Sequence, residues 1–284
     1  MIRRADLDSR EEESIVDATG QAMRLIIDGY VVLPDAIVGA ELEGIRDAFE
    51  GLAAKLGTRT FAPTDVETVP EFLNFIGHPS VMPVVDAYMD FYGEEPAVAN
   101  LHLCRDAYEP GASSGVVTGG HLHNDGSNAA EMGLSYEALH KGVTVHVYLD
   151  DTFPDAGGFA IARGSYQLTR PTAEGSARSP NRELVFKHCP MECLHAPAGT
   201  VVLVRSFTWH GAGFPPNQKR RQLRADYTPK RLYDAMDLSG EFCYHQRLSD
   251  EAVAMLPDDR RRYVVRSKLP QYRPGGGVRA AGRG

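Results

Sequence analysis

The pattern of hydrophobic and polar positions changes period near residue 97. Before it, spacings of three and four dominate. Residues 39–56 set Leu42, Ile45, Phe49, Leu52 and Leu56 on one stripe, which predicts an amphipathic helix packed on a sheet. Residues 12–28 predict another helix, ended at Asp28-Gly29, where glycine suits the left-handed position after a C-cap. Tyr30–Leu33 then reads as a strand and Pro34-Asp35 as a turn. The mixture of Thr, Pro and charge over 57–75 predicts a variable loop near a site, and 78–92 a third helix closed by Gly93.

From Ala97 onward, short runs rich in Val, Tyr and Thr alternate with Gly, Pro and Asp, as in an antiparallel sandwich or barrel. The predicted strands are 97–106, 119–125, 142–150, 158–162, 184–188, 200–209 and 220–228. Longer connections at 107–118, 126–141 and 166–183 are where substrate recognition tends to sit. A helical segment is expected over 249–265 and a disordered tail over 273–284. No repeat or linker divides the chain. The reading is one domain over 1–272, with a helical region over residues 1–96, a β core over 97–230 and a C-terminal segment over 231–272.

A chain of 284 residues, 43% hydrophobic and 24% charged, can bury the core of one such domain. Its net charge of −8 argues against nucleic acid or an anionic membrane as the main partner. The best apolar run, Leu25 to Leu33, is too short to span a bilayer and contains Asp28. A soluble, cytoplasmic protein is expected. The four cysteines, at 104, 189, 193 and 243, show no disulfide framework. His188, Cys189, Cys193 and His195 offer a rival zinc site, but they crowd into one short stretch instead of closing a loop.

The sharpest chemical signal is His123-Asn124-Asp125 with His210 far downstream at the end of an apolar run. If 119–125 is extended, positions 123 and 125 share a face. Two imidazoles and a carboxylate on one side of octahedral Fe(II) leave positions open for a co-substrate and dioxygen. Alternation along 220–228 groups Arg220, Gln222, Arg224 and Asp226 on one face and Arg221, Leu223, Ala225 and Tyr227 on the other. Arg221 then shares the apolar face, taken as the inward one, with no evident carboxylate. A small acidic ligand held by its guanidinium answers that. The alternative is a solvated basic edge made by Lys219, Arg220, Arg221 and Arg224.

These residues resemble the phytanoyl-CoA dioxygenase family of iron and 2-oxoglutarate dependent oxygenases, over about 25–230. The pieces are Asp28-Gly-Tyr-Val-Val-Leu-Pro34, His123-Asn-Asp125, Val143-Thr-Val-His-Val-Tyr-Leu-Asp-Asp151, Ala156-Gly-Gly-Phe159 to Arg163-Gly-Ser165, and Pro197-Ala-Gly-Thr-Val-Val to Trp209-His-Gly211. The resemblance implies a mainly β fold, the double-stranded β-helix or jelly roll, cupin-like, with N-terminal helices packed on it. It implies Fe(II) held by His123, Asp125 and His210, and 2-oxoglutarate clamped by Arg221. His146, His102 and Arg105 are expected near the co-substrate, with Arg163 and Tyr166 serving either substrate or a turn. The implied reaction oxidises an unactivated C–H of a small organic substrate with O2, most simply by hydroxylation, releasing succinate and CO2. Desaturation, ring closure and epimerisation share its first step. Two departures stand out. The hydroxyl residue expected two places after the distal His is Ala212, and Phe214-Pro-Pro shifts the spacing so that Arg220 competes for the clamp. Asp125 argues against a halogenase. A cupin-type enzyme without 2-oxoglutarate would fit His121-Leu-His123 but lacks a suitably spaced Glu, and a non-catalytic binding protein has only Ala212 in its favour. The acidic chain offers no basic entrance for an acyl-CoA, so a substrate of secondary metabolism is preferred.

Overall fold

The computed structural model describes residues 17–57, 61, 63–106, 123–124, 136–152, 159–171, 177–178, 182–212, 220–233 and 248–264. Helix α1 (17–28) leads into β1 (Tyr30–Leu33), followed by α2 (Gly39–Leu56), α3 (Pro63–Val66), α4 (Pro70–Leu73) and α5 (Met82–Asp90). Next come β2 (Pro96–Asp106), α6 (Tyr136–Lys141), β3 (Val143–Tyr148), β4 (Phe159–Ala162), the short pair β5 (Arg170–Pro171) and β6 (Ala177–Arg178), and α7 (Arg182–His188). Strands β7 (Met191–Leu194), β8 (Val201–Arg205), β9 (His210–Ala212) and β10 (Arg220–Pro229) lead to α8 (Lys230–Tyr233) and α9 (Asp250–Met255).

The strands form a five-stranded antiparallel sheet in the order β1-β8-β3-β10-β2 and a three-stranded sheet in the order β7-β4-β9. This is a mainly β, cupin-like jelly roll with helices packed outside. The larger sheet is buried on both faces. Val145, Val147, Val201, Leu203, Leu223 and Ala225 join Leu42, Ile45, Phe49 and Leu52 of α2 in the main core. Val202, Val204 and Tyr148 turn the other way and meet Phe159 and Ile161 of the smaller sheet. Each fully buried large aliphatic or aromatic side chain contributes about 1.5–3 kcal/mol. Among the described residues no helix is long and apolar enough to cross a membrane.

Three expectations need correction. Residues 57–75 are not simply a loop: α3 and α4 lie there, and Phe61, Val66, Phe72 and Leu73 are buried in the main core. The strand expected at 184–188 is helix α7, whose Val185 packs with Ala160, Ala162 and Trp209 on the back of the smaller sheet. A short apolar run does not by itself choose between strand and helix. The segment 200–209 is broken, with β8 ending at Arg205 and a turn leading to β9. Strand 119–125 lies outside the described residues apart from His123 and Asn124, and so do the tail 273–284, Cys243 and the loop 107–118.

Candidate metal and co-substrate site

His210 is aimed by the turn between β8 and β9, and contacts from several elements lock that turn. The Arg205 backbone N–H donates to the Gly29 carbonyl at 2.9 Å, and the Thr208 hydroxyl donates to the same oxygen at 3.0 Å. The Trp209 N–H donates to Ser165 Oγ at 2.8 Å, and the Trp209 carbonyl accepts from Ala162 N–H at 2.8 Å. The buried Arg205 guanidinium donates to the carbonyls of Ile26 and His140, at 3.3 and 2.9 Å, and lies 3.9 Å from the centre of the Tyr166 ring. The Tyr166 hydroxyl donates to the Ile26 carbonyl. Tyr166, expected at either a substrate or a turn, therefore ties α1 to the turn that carries His210. Gly29 makes the close approach possible. Its φ is +87°, and a Cβ there would stand 2.5 Å from Thr208 Oγ1.

His123 faces His210 in a reciprocal antiparallel bridge, N–H to carbonyl at 2.9 Å one way and 2.8 Å the other. Directly opposed residues of such a pair project to the same side, and the two imidazole centres are 4.6 Å apart. His210 is buried while His123 is exposed. The Nδ1 of His210 lies 2.8 Å from the Thr208 carbonyl. A carbonyl only accepts, so Nδ1 carries the proton and Nε2 keeps its lone pair for a metal. This tautomer control, with paired rings on one face, suits a divalent iron. Asp125, the expected carboxylate ligand, lies outside the described residues. Among the described residues no three His, Cys, Asp or Glu side chains gather as a metal site, the His188, Cys189, Cys193 and His195 stretch included.

His146 is buried beside this pair, its ring 6.4 Å from His210 and 4.8 Å from Phe159, and Phe159 is 5.2 Å from His210. In the sequence Phe159 is marked only as the aromatic residue after a glycine pair at the start of an apolar strand, with no role attached to it.

Arg221 is where the structure departs from expectation. The apolar face of β10 looks toward the helices, not into the jelly roll, because Leu223, Ala225 and Tyr227 belong to the core shared with α2. Arg221 Nε donates to Asp150 at 3.0 and 3.2 Å, Nη2 to the same carboxylate at 2.5 Å, and Nη1 to Glu50 at 2.7 Å. Its guanidinium lies 5.7 Å from the centre of the Phe49 ring. Hydrogen bonding by Asp150, outweighing burial, raises its pKa above the ordinary arginine value. Both carboxylates were missed because they come from other elements: Glu50 from α2 and Asp150 from the residues after β3. The polar face of β10, with Gln222, Arg224 and Asp226, is the inner one, and there Arg224 Nε donates to Asp226 at 3.0 Å. Arg220, at the start of the strand, pairs with Asp106 of β2. In the register with β2, His102 lies across from Arg224 and Arg105 across from Arg221.

No family model matches the chain, and no curated protein does. Solved structures do. The carbocyclase SnoK, a non-heme alpha ketoglutarate dependent enzyme from nogalamycin biosynthesis, shares 18% identity with a TM-score of 0.57, covering 74% of this chain and 83% of its own. SnoN, an epimerase of the same biosynthesis and the same dependence, shares 16% at 0.57 over 79% and 91%. EctD from S. alaskensis, solved with 2-oxoglutarate and 5-hydroxyectoine, shares 16% at 0.58 over 74% and 76%. The chain has the fold of these non-heme oxygenase structures.

Proposed function

We propose that this chain is an Fe(II) and 2-oxoglutarate dependent oxygenase acting on a small organic substrate, with His123, Asp125 and His210 as iron ligands. The observation that carries the reading is the His123–His210 bridge, which holds two imidazoles on one face with the His210 tautomer set for ligation. Support also comes from the neighbours' dependence on alpha ketoglutarate. Iron with 2-oxoglutarate bound supplies the dioxygen activation that oxidises an unactivated C–H, with succinate and CO2 released. The chain's own role is to hold and orient. Thr208 keeps the His210 ring in register through its carbonyl, and Phe159, Ile161, Val202 and Val204 give an apolar wall that excludes water. His146 borders the co-substrate.

The clamp in this reading moves from Arg221 to Arg220. Arg221 already has two carboxylate partners on the helix-facing side, whereas alternation along the sequence gives Arg220 the opposite parity. A hydroxylation outcome is the simplest. Ring closure and epimerisation stand beside it, since SnoK is a carbocyclase and SnoN an epimerase, and both serve nogalamycin biosynthesis. That origin favours a secondary-metabolite substrate here.

Anaerobic titration of Fe(II)-loaded protein with 2-oxoglutarate is expected to raise the weak visible charge-transfer band of keto-acid chelation. His210→Ala should lose both the iron and the band. Full iron-dependent turnover by that variant would refute the site.

A further inference from the structure

Strands β3 and β10 and the residue just before β8 each bring one polar side chain to the same rung of the jelly-roll interior. Tyr148 of β3 pairs with Gln222 of β10, and its N–H donates at 3.0 Å to the carbonyl of Thr200, at the start of β8. All three are buried, at 0%, 3% and 1% exposure. Among the described residues, Gln222 Nε2 and Thr200 Oγ1 have no hydrogen-bond partner. Folded proteins rarely leave one buried donor unmet, and here two flank a single tyrosine.

The rung stands one step along the sheet from His146, whose ring is 6.4 Å from His210. Two residues of strand advance about 6.6 Å, close to the span of 2-oxoglutarate from its keto end to its far carboxylate. The two unmet donors stand on the strands either side of β3, about 9.6 Å apart along the rung, and converging over Tyr148 they suit a carboxylate, which offers two oxygens and no proton. The hydroxyl absent at Ala212 thus has a counterpart at Thr200.

We propose that Gln222 and Thr200, with Tyr148 between them, seat the far carboxylate of 2-oxoglutarate. This rests on the oxygenase reading. Gln222 and Thr200 would bond the co-substrate directly and so set its depth in the site.

The test compares wild type, Gln222→Leu and Thr200→Val, each loaded anaerobically with Fe(II) and titrated calorimetrically. The titrants are 2-oxoglutarate and 2-oxopentanoate, which keeps the keto-acid end and lacks the far carboxylate. Each variant should weaken 2-oxoglutarate by roughly ten- to a hundredfold and leave 2-oxopentanoate unchanged. Melting of the metal-free protein should stay level or rise, because the apolar replacement removes an unmet donor. Unchanged 2-oxoglutarate affinity in both variants, with the wild type binding normally, would overturn the seat. The rung would then hold water or a carboxylate of the substrate, and a substrate titration would separate those two. A lowered melting temperature with both keto acids weakened alike would also overturn it, as a packing role. A wild type that binds no 2-oxoglutarate would instead bring down the parent reading.

Discussion

Replacing Arg221 by Met tests the orientation of β10 and with it the location of the whole site. Methionine keeps the aliphatic stem near Phe49 and removes the guanidinium. What is lost is a two-pronged contact to Asp150 and a single one to Glu50. The Glu50 pair counts for little, since that carboxylate is 58% exposed. The Asp150 pair is more sheltered, with side chains 17% and 25% exposed, and charge-assisted bonds of this kind are worth about 1.5–3 kcal/mol. Asp150 would keep the Arg221 backbone N–H at 3.0 Å, which softens the loss. A destabilisation of about 2 kcal/mol follows, or a melting shift of roughly 3–4 °C for a chain of this size. Urea unfolding measures the first quantity and a thermal scan the second, and Asp150→Asn should cost a similar amount, with strong coupling in the double variant. The 2-oxoglutarate affinity of Arg221→Met should equal that of the wild type. If stability holds and affinity falls tenfold or more, Arg221 is the clamp after all, and the assignment of the inner face of β10 is inverted.

Two further outcomes follow from the same geometry. Gly29→Ala places a methyl against Thr208 Oγ1 at a positive φ; it should cost about 2 kcal/mol or more and, by moving Thr208 away from His210, weaken iron binding in a metal titration. His140 is held well below the ordinary histidine range, at about 4, by burial first and then by the charges of Arg205 and Lys141. The unfolded chain takes up this proton near pH 6.5 and the folded chain only near 4, so stability should fall as pH drops through that window and level off below it. Urea midpoints across pH should show the loss, and His140→Phe should flatten the curve.

The longest helices, α1, α2 and α5, and most strands were legible because their periods are long and unmixed: the stripe Leu42, Ile45, Phe49, Leu52 has one physical solution. The faces of β10 were also read correctly as groups, but not their destinations. Alternation separates apolar from polar positions without saying which set meets helices and which lines a site. In a sheet buried on both sides the usual rule, apolar inward, gives the wrong side for Arg221. Its partners Glu50 and Asp150 could not be read from the strand at all, since they meet it only through tertiary packing. Residues 184–188 failed for a local reason, because Leu-Val-Phe in a short run satisfies either period. The His123–His210 pairing was foreshadowed by residue type, yet the turn that aims His210, with Gly29 and Thr208 at its centre, depends on a helix end far away in sequence. Gln222 and Thr200 gave no signal, since a Gln or Thr in a strand is ordinary until its neighbours are known.

The bridge between His123 and His210 has a thermodynamic consequence of its own. Two backbone bonds join points widely separated along the chain, so the junction closes a long loop whose entropy cost grows only with the logarithm of its length. An ion shared by the two rings would act there as a reversible crosslink. It would add nothing to the strands already paired elsewhere, and its stabilisation would rise with free metal concentration by mass action. Hydrogen exchange at the two bridge amides would then be slowed by metal through local protection, while the core amides of β3 and β8 would slow only as far as global stability rises.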